Sequence, residues 1–144
     1  MQNKILTRII NIKDIEKEQL ELEVNKKMNA LNEEQKKLGS LKEKMEETIY
    51  ELTNMNTEGE LNISRIDFFY THLSDLKNQI ESQKKNILKK KEDLEEKQSA
   101  MLEAYKEKRL LEIFRDKMFS EEIRNTLIKE QKEMDLSFLL KRLR

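Results

Sequence analysis

The sequence lacks most of the residues that interrupt helices. It has no proline, no cysteine, no tryptophan and only two glycines among its 144 residues, whereas an average chain of this length carries about seven prolines and ten glycines. Proline ends helices and glycine weakens them, so their scarcity favours long, continuous helices. The absence of cysteine excludes disulfide bonds, which suits a protein of the cytosol.

Long apolar runs are missing too. No run approaches the roughly 18 residues that a membrane-spanning helix needs, and Lys4, Arg8 and Lys13 interrupt the N-terminal segment MQNKILTRIINIKD. Lys and Arg together number 29, and so do Asp and Glu. No overall charge therefore attracts nucleic acid or anionic lipid. We expect a cytoplasmic protein without a nucleic-acid partner.

What the sequence does have is apolar residues that recur every seven positions. Charged residues make up 40% of it and hydrophobic ones 36%, a balance typical of amphipathic helices rather than of a thick globular core. A strict seven-residue repeat predicts helices that wind around each other, with the repeated residues forming a seam. The first seam position is filled by Val24, Leu31, Leu38, Met45, Leu52, Ile66, Leu73, Ile80, Ile87, Leu94 and Met101. The second is filled by Leu6, Leu20, Leu41, Met55, Phe69, Leu76, Ala104, Leu111 and Met118, and is interrupted by Lys27, Glu34, Gln83, Lys90 and Lys97.

The segment NTEGELNIS, residues 56–64, is the one place where the helical pattern breaks. Gly59 and nearby asparagines can stop a helix there, and Ser64 or Asn62 can cap the next one. The predicted fold is all-α: a long two-helix antiparallel coiled-coil hairpin with the second helix longer than the first. Its single domain, 1–144, has helix 1 at about 2–56, a turn at 57–63 and helix 2 at about 64–141. One continuous helix that pairs with a second copy stays an alternative, since a single glycine costs only about 1 kcal/mol.

The unequal lengths of the two predicted helices leave part of the second one unpaired. Folding at Gly59 places residue 2 near residue 118, and the chain beyond is not a polar tail. An apolar face without a partner inside the chain predicts a partner outside it. That face is formed by Phe119, Ile123, Leu127, Met134 and Phe138, and we expect Leu136, Leu139, Leu140 and Leu143 to widen it.

Residues that could carry catalysis or bind a metal are scarce. His72 is the only histidine, and the residue three positions before it is Phe69 rather than the glutamate that metal sites in helical bundles need. There is no glycine-rich phosphate loop. The basic run from Lys84 to Lys91 is followed at once by EDLEE, which indicates a solvated helix face. We therefore predict no catalytic residue, no cofactor, no metal and no enzymatic activity.

The C-terminal segment EKRLLEIFRDKMFSEEIRNTLIKEQKEMDLSFLLKRLR resembles the end of the FliJ family, small coiled-coil proteins of bacterial flagellar export. The family has an EQKEMDE-like stretch near its end, which stands here as Glu130 to Asp135 with Leu136 in place of an acidic residue. The length, the hairpin layout and the longer second helix also agree. The stalk proteins of virulence type III secretion are similar as well, and the sequence leaves both systems open.

The resemblance implies a stalk like the rotor shaft of rotary ATPases, and not an enzyme. Its terminal end enters the central hole of a hexameric export ATPase and promotes ring assembly and activity. It also links the ATPase to a membrane export-gate protein and to export chaperones, so it is peripheral at the inner face of the cell membrane only through partners. The ATPase-binding residues that we expect are Phe119, Ile123, Leu127, Met134, Phe138 and Leu139.

In this family the export-gate contact lies on the second helix near the turn, with a Phe-x3-Leu-x2-Ala-x3-His spacing. Of the four matching positions in this chain, only Leu76 agrees. The gate-binding residues that we expect are Tyr50, Phe68, Tyr70, His72 and Leu76. Two other functions remain open at this point: a homodimeric coiled-coil scaffold, and a chaperone-like clamp that holds unfolded clients outside secretion.

Overall fold

Two long helices make up the chain. A computed structural model, which describes residues 2–57 and 63–143, contains α1 at Gln2–Thr57 and α2 at Ile63–Arg142. Residues 1, 58–62 and 144, including Gly59 and most of the predicted turn, lie outside the described residues, as do the side chains of residues 2, 3, 56 and 57. The roles proposed for Gly59 and Asn62 therefore stay predictions.

The helices pack against each other in opposite directions. Cross-helix pairs run in reverse order, because Glu34 of α1 pairs with Gln83 of α2 whereas the earlier Glu23 pairs with the later Lys97. The second helix has 80 residues and the first has 56. The predicted fold class, an all-α antiparallel coiled-coil hairpin with a longer second helix, is confirmed.

The middle unit, Glu21–Ser99, is one of two compact units into which the chain divides. Its core is a single line of apolar side chains, which is what the seven-residue repeat predicts for a seam. The buried members are Val24, Leu31, Leu76, Ile80, Ile87 and Leu94. Each of them occupies a predicted seam position.

One buried residue of the middle unit is polar. Thr48 stands at the second seam position between Leu41 and Met55, and it is 7% exposed. Its hydroxyl donates a hydrogen bond to the backbone oxygen of Lys44 at 2.7 Å, so its polar atom is satisfied within its own helix. The methyl group of a β-branched side chain can then face the seam.

Two of the polar residues that interrupt the seam in the middle unit, Glu34 and Gln83, pair with each other. Gln83 Nε2 donates to the backbone oxygen of Glu34 at 2.8 Å and to its Oε2 at 2.5 Å. Asn86 Nδ2 donates to the same Oε2 at 3.0 Å. The hydrogen bond from Gln83, and after it the hydrogen bond and charge of Lys37, hold the pKa of Glu34 below its usual range despite partial burial. Glu34 is therefore a hydrogen-bonded carboxylate inside the seam.

The terminal unit, Met1–Leu20 with Ala100–Arg144, is held by fewer buried residues. Among its described side chains only Ile10 and Ala104 are buried. Two crossed ion pairs join α1 and α2: Lys13 Nζ lies 2.7 Å from Glu107, and Lys108 Nζ lies 2.6 Å from Asp14. The residues that stand half-buried beside this seam are Leu6, Leu20, Met101, Leu111 and Met118.

The crossed pairs change the ionisation of their members. Hydrogen bonding to Glu107 raises the pKa of Lys13, and hydrogen bonding to Asp14 raises the pKa of Lys108. The same contact with Lys108 lowers the pKa of Asp14. Lys13 and Lys108 both occupy seam positions, where a lysine can lay its aliphatic stem along the seam and keep its ammonium in water.

Candidate functional site

The end of α2 extends beyond the described residues of α1. Lys13 of α1 pairs with Glu107 of α2. Because the helices are antiparallel, Gln2, the first residue of α1, lies at about the level of Met118. We call residues 119–143 the tail. The tail stays helical to Arg142, and every one of its side chains is exposed.

One face of the tail is apolar. We call its five members the tail stripe: Phe119, Ile123, Leu127, Met134 and Phe138. With 100° of rotation per residue, these five residues fall within an arc of about 100° around the helix. Phe138 is 63% exposed and Met134 is 73% exposed. Large apolar side chains at this exposure, aligned on one helix face, form a surface suited to a partner.

The C-terminal end of the tail stripe is bordered by charged residues. Met134 and Phe138 line a shallow groove whose rim carries Glu130 and Lys141. The guanidinium of Arg142 lies over the Phe138 ring, 5.7 Å from its centroid, within the range of a cation–π contact. The apolar centre and charged rim match the anatomy of protein-binding surfaces.

Four leucines form a separate face rather than a wider stripe, which corrects the sequence-based expectation. They are Leu136, Leu139, Leu140 and Leu143, and they lie about 160° around the helix from the centre of the tail stripe. We call them the leucine face. Leu139, one of the expected ATPase-binding residues, therefore lies outside the tail stripe, about 100° around the helix from Phe138 and about 150° from the centre of the stripe.

The leucine face continues the seam in register. Counting in sevens from Met101 reaches Leu136 and Leu143, and counting from Met118 reaches Leu139. Between them, the same register passes through the polar residues Glu122, Asn125, Lys129 and Lys132. The apolar seam pattern is therefore interrupted in α2 beyond the level of Gln2, where α1 begins. It reappears only in the last two turns of α2.

A second exposed apolar surface lies on α1 in the terminal unit. Ile5, Ile12 and Ile15 are each more than half exposed, and Ile9 is exposed beside them. These isoleucines alternate in the sequence with seam residues such as Ile10. The sequence pattern therefore did not distinguish the outer face of α1 from its seam face. Their spacing of three and four residues is the signal that could have revealed it.

The structure brings only some of the expected gate-binding residues together. Phe68 and His72 stack with their ring centroids 6.3 Å apart and their planes 10° from parallel. Tyr70 is exposed but lies about 160° around α2 from Phe68. Leu76 is 3% exposed because it packs in the seam. Its side chain is not accessible to a partner, so the expectation that it contacts the gate needs correction.

Sites for chemistry are not evident in the part of the chain that is described. Within residues 2–57 and 63–143, no three His, Asp or Glu side chains cluster in a way that could hold a metal ion. His72 contacts the apolar ring of Phe68, and its structural role is packing on that ring. Neither of the two described helices is apolar enough over a sufficient length to cross a membrane. The predicted lack of catalysis, metal and cofactor stays a prediction.

The fold and the exposed apolar tail define the class of the protein, a helical hairpin whose second helix is longer than the first and carries an exposed apolar face. A family model described as "Flagellar FliJ protein" matches residues 2–136, and the chain therefore belongs to the FliJ family. It is a coiled-coil protein related to flagellar export. No significant match is found among curated proteins or solved structures. The family match ends at Leu136, so Phe138 and Leu139 lie beyond it.

Proposed function

We propose that the chain is the stalk of the flagellar export ATPase, and that its tail enters the ATPase ring and promotes ring assembly and ATP turnover. The observation that carries the proposal is the tail stripe, an exposed apolar face on the part of α2 that extends beyond the described residues of α1. Such a face is costly in water and gains free energy when a partner covers it. Membership of the FliJ family makes the export ATPase the partner that we propose.

The size of the tail stripe fits a specific contact. Burying five large apolar side chains contributes about 1.5–3 kcal/mol for each one that becomes fully covered. Association costs several kcal/mol of lost freedom, so only part of that sum becomes affinity. The outer face of α1 at Ile5, Ile12 and Ile15 belongs to the same unit and is a second surface that the ring can cover.

Single substitutions in the tail can test the ATPase contact with a closely matched control. Leu127 is 59% exposed and lies in the tail stripe, whereas Leu88 is 58% exposed and lies in the middle unit. Leu127→Ala should weaken binding of the full-length chain to the purified ATPase by about tenfold, equivalent to about 1.4 kcal/mol. Leu88→Ala should leave binding unchanged. Equal effects of the two substitutions would contradict a contact centred on the tail.

For the export gate we propose the stacked pair Phe68 and His72 together with Tyr50, and a separate contact through Tyr70 on the other side of α2. Tyr50 and Arg65 line the same groove at this end of the middle unit. These exposed rings combine an apolar body with polar tips, which suits a protein partner. Export chaperones are proposed partners from family membership alone.

Two substitutions separate the gate contact from the ATPase contact. Phe68→Ala should reduce binding to the cytoplasmic domain of the gate protein and leave ATPase binding intact. Phe138→Ala should do the reverse, because the two phenylalanines lie in different units. Loss of both interactions in either variant would argue for a general defect in folding, which circular dichroism of the same sample would reveal. In this proposal, placement at the inner face of the cell membrane follows from the partners.

A further inference from the structure

Four of the five residues of the tail stripe form mirrored pairs along the sequence. About a midpoint between positions 128 and 129, Phe119 mirrors Phe138 and Ile123 mirrors Met134. All four side chains lie on one face of a single helix and are exposed. Two identical helices laid antiparallel about a twofold axis bring mirrored positions to the same level, and such self-complementary contacts are how most homodimers form.

We propose that a second copy of this chain covers the tail stripe. The two tails lie antiparallel, with the twofold axis between positions 128 and 129. Phe119 then meets Phe138 of the second copy, and Ile123 meets Met134 of the second copy, each contact occurring twice. The proposal concerns the free protein and does not depend on the export function.

Charges at the ends of the tail stripe favour this arrangement. Asp116 and Lys141 mirror each other about the same midpoint, and both lie on the face of the stripe. At one edge of the stripe, Arg124 and Asp135 of the second copy are offset by only about 3 Å along the helix axis. Opposite charges therefore meet at both ends and along one edge, which sets the direction and register of the pair.

The spacing of the tail stripe also requires a partner other than a continued seam. Ile123 to Met134 and Leu127 to Phe138 are steps of eleven residues. Steps of eleven give a slight right-handed winding, whereas the seven-residue seam with α1 winds to the left. A helix that continued α1 along the seam would leave the tail stripe uncovered. The tail of a second copy has the same steps of eleven residues and can therefore pack along the stripe.

The dimer should be weak. Five side chains about half exposed or more bury on the order of 1,000 Å² over both copies, which is at the lower end for specific complexes. Glu130, the mirror of Leu127, places one carboxylate from each copy beside the axis. Two like charges at this spacing oppose association. The pair is therefore a reversible form, and if the proposed ATPase contact holds, pairing and ring binding exclude each other.

Glu130 supplies the most direct test. Sedimentation velocity of the full chain, from about 1 µM to several hundred µM, should show a monomer–dimer equilibrium. Glu130→Leu should tighten it about tenfold by completing the mirrored stripe and removing the like charges. Glu121→Gln removes one carboxylate about 150° around the helix and should change nothing. Phe138→Ala should weaken the dimer.

Two results would overturn the proposal. One is a monomer at every concentration, even with Glu130→Leu in place. The other is a dimer whose dissociation constant is unchanged by both Glu130→Leu and Phe138→Ala, because such a dimer must use another face. Since no ATPase is present in these experiments, they can fail without affecting the proposed export function.

A charge swap tests the register. Asp116→Lys alone and Lys141→Asp alone each create like-charge contacts at both ends of the pair and should weaken it. The double variant restores opposite charges and should recover the dimer. A double variant as weak as the sum of the single changes contradicts the proposed pairing of these positions.

The absence of native cysteine allows the direction to be measured with single spin labels. In the antiparallel pair, labels at position 129 lie level with each other, whereas labels at position 121 are offset by 15 residues, or about 22 Å, along the axis. The measured distance should therefore be clearly longer for position 121. Equal distances at both positions would indicate a parallel pair and contradict the proposal.

Discussion

Gln83 of α2 donates two hydrogen bonds from one side-chain nitrogen to Glu34 of α1, at 2.8 Å to the backbone oxygen and at 2.5 Å to the carboxylate. Both residues interrupt the apolar seam, and they interrupt it at the same level. A shift of one heptad would place each of them against other residues and leave a polar group in the seam without this partner. The pair therefore selects one alignment of the two helices.

We predict that removing Gln83 alone costs more stability than removing both polar residues. Gln83→Leu leaves the half-buried Glu34 carboxylate without its main donor. Glu34→Leu combined with Gln83→Leu replaces the pair by an apolar contact, which is often neutral or stabilising. Thermal unfolding should show a lower Tm for the single variant than for the double. A single variant as stable as the double would show that the hydrogen bonds contribute nothing to the alignment.

Acid should weaken the helix pair in a defined pH range. The pKa of Glu34 lies below its ordinary 4.5 and that of Asp14 below its ordinary 3.8, because Gln83 and Lys108 respectively bind the charged forms. A lowered folded-state pKa gives stability that is complete above the unfolded value and is lost as the pH falls through the folded one. Unfolding measured from pH 7 to pH 2 should therefore show a decline below about pH 4.5.

A charge-neutral variant isolates the share of Glu34 in that decline. Glu34→Gln keeps the shape and hydrogen-bonding capacity of the side chain but no longer binds a proton in this range. Its stability should fall less steeply below about pH 4.5 than that of the unaltered chain. An identical slope would mean that other carboxylates cause the whole effect.

The seam should hold most of the stability of the middle unit. Ile80 is buried in the seam and Leu88 on the same helix is exposed. Ile80→Ala should cost about 2–4 kcal/mol because it removes packed methyl groups. Leu88→Ala should stay within about 0.5 kcal/mol. Urea unfolding of the two variants measures both, and comparable losses would mean that the assigned seam register is wrong.

Gly39 offers a stabilising substitution. It lies inside α1, and a Cβ placed on it would meet no atom within 4 Å. Gly39→Ala should therefore raise the free energy of unfolding by about 0.4–1 kcal/mol through lower chain entropy and higher helix propensity. A lower Tm in this variant would indicate that position 39 contacts something outside the described chain.

The apolar half of the seam could be predicted from the sequence, and its polar half could not. Residues such as Leu31 and Ile80 repeat every seven positions, and that period alone places them in the seam. Thr48 shares the register but is polar, so only its bond to the Lys44 oxygen explains its burial. The sequence shows Glu34 and Gln83 only as two separate interruptions of the seam. Their pairing could not be predicted, because it depends on how the two helices are aligned.

Candidate binding surfaces were predicted unevenly for a related reason. The exposure of the tail stripe follows from the unequal helix lengths, so the exposure of Phe119 and Phe138 could be predicted from the sequence. The separation of the leucine face required helix angles, since four leucines close to the C-terminus look contiguous with Phe138 in the sequence. The burial of Leu76 follows from its seam position, which competes with the family-based expectation of a gate contact.

Removal of residues 119–144 should leave the remaining helix pair intact. Every described side chain of the tail is exposed, and none of the ion pairs seen between the described parts of α1 and α2 involves it. The Tm of the shortened chain should therefore match that of the full chain. A large fall in Tm would show that the tail supports the fold and would disqualify the shortened chain as a functional control.

The most direct measurement of the central claim is the ATP turnover of the purified export ATPase with the full chain and with the chain shortened at residue 118. We predict that the full chain accelerates turnover, that the shortened chain does not, and that Leu127→Ala combined with Phe138→Ala falls between them. A shortened chain that keeps its fold and stimulates turnover as well as the full one would contradict the account. The outer face of α1 at Ile5, Ile9 and Ile12 would then be the surface that contacts the ATPase.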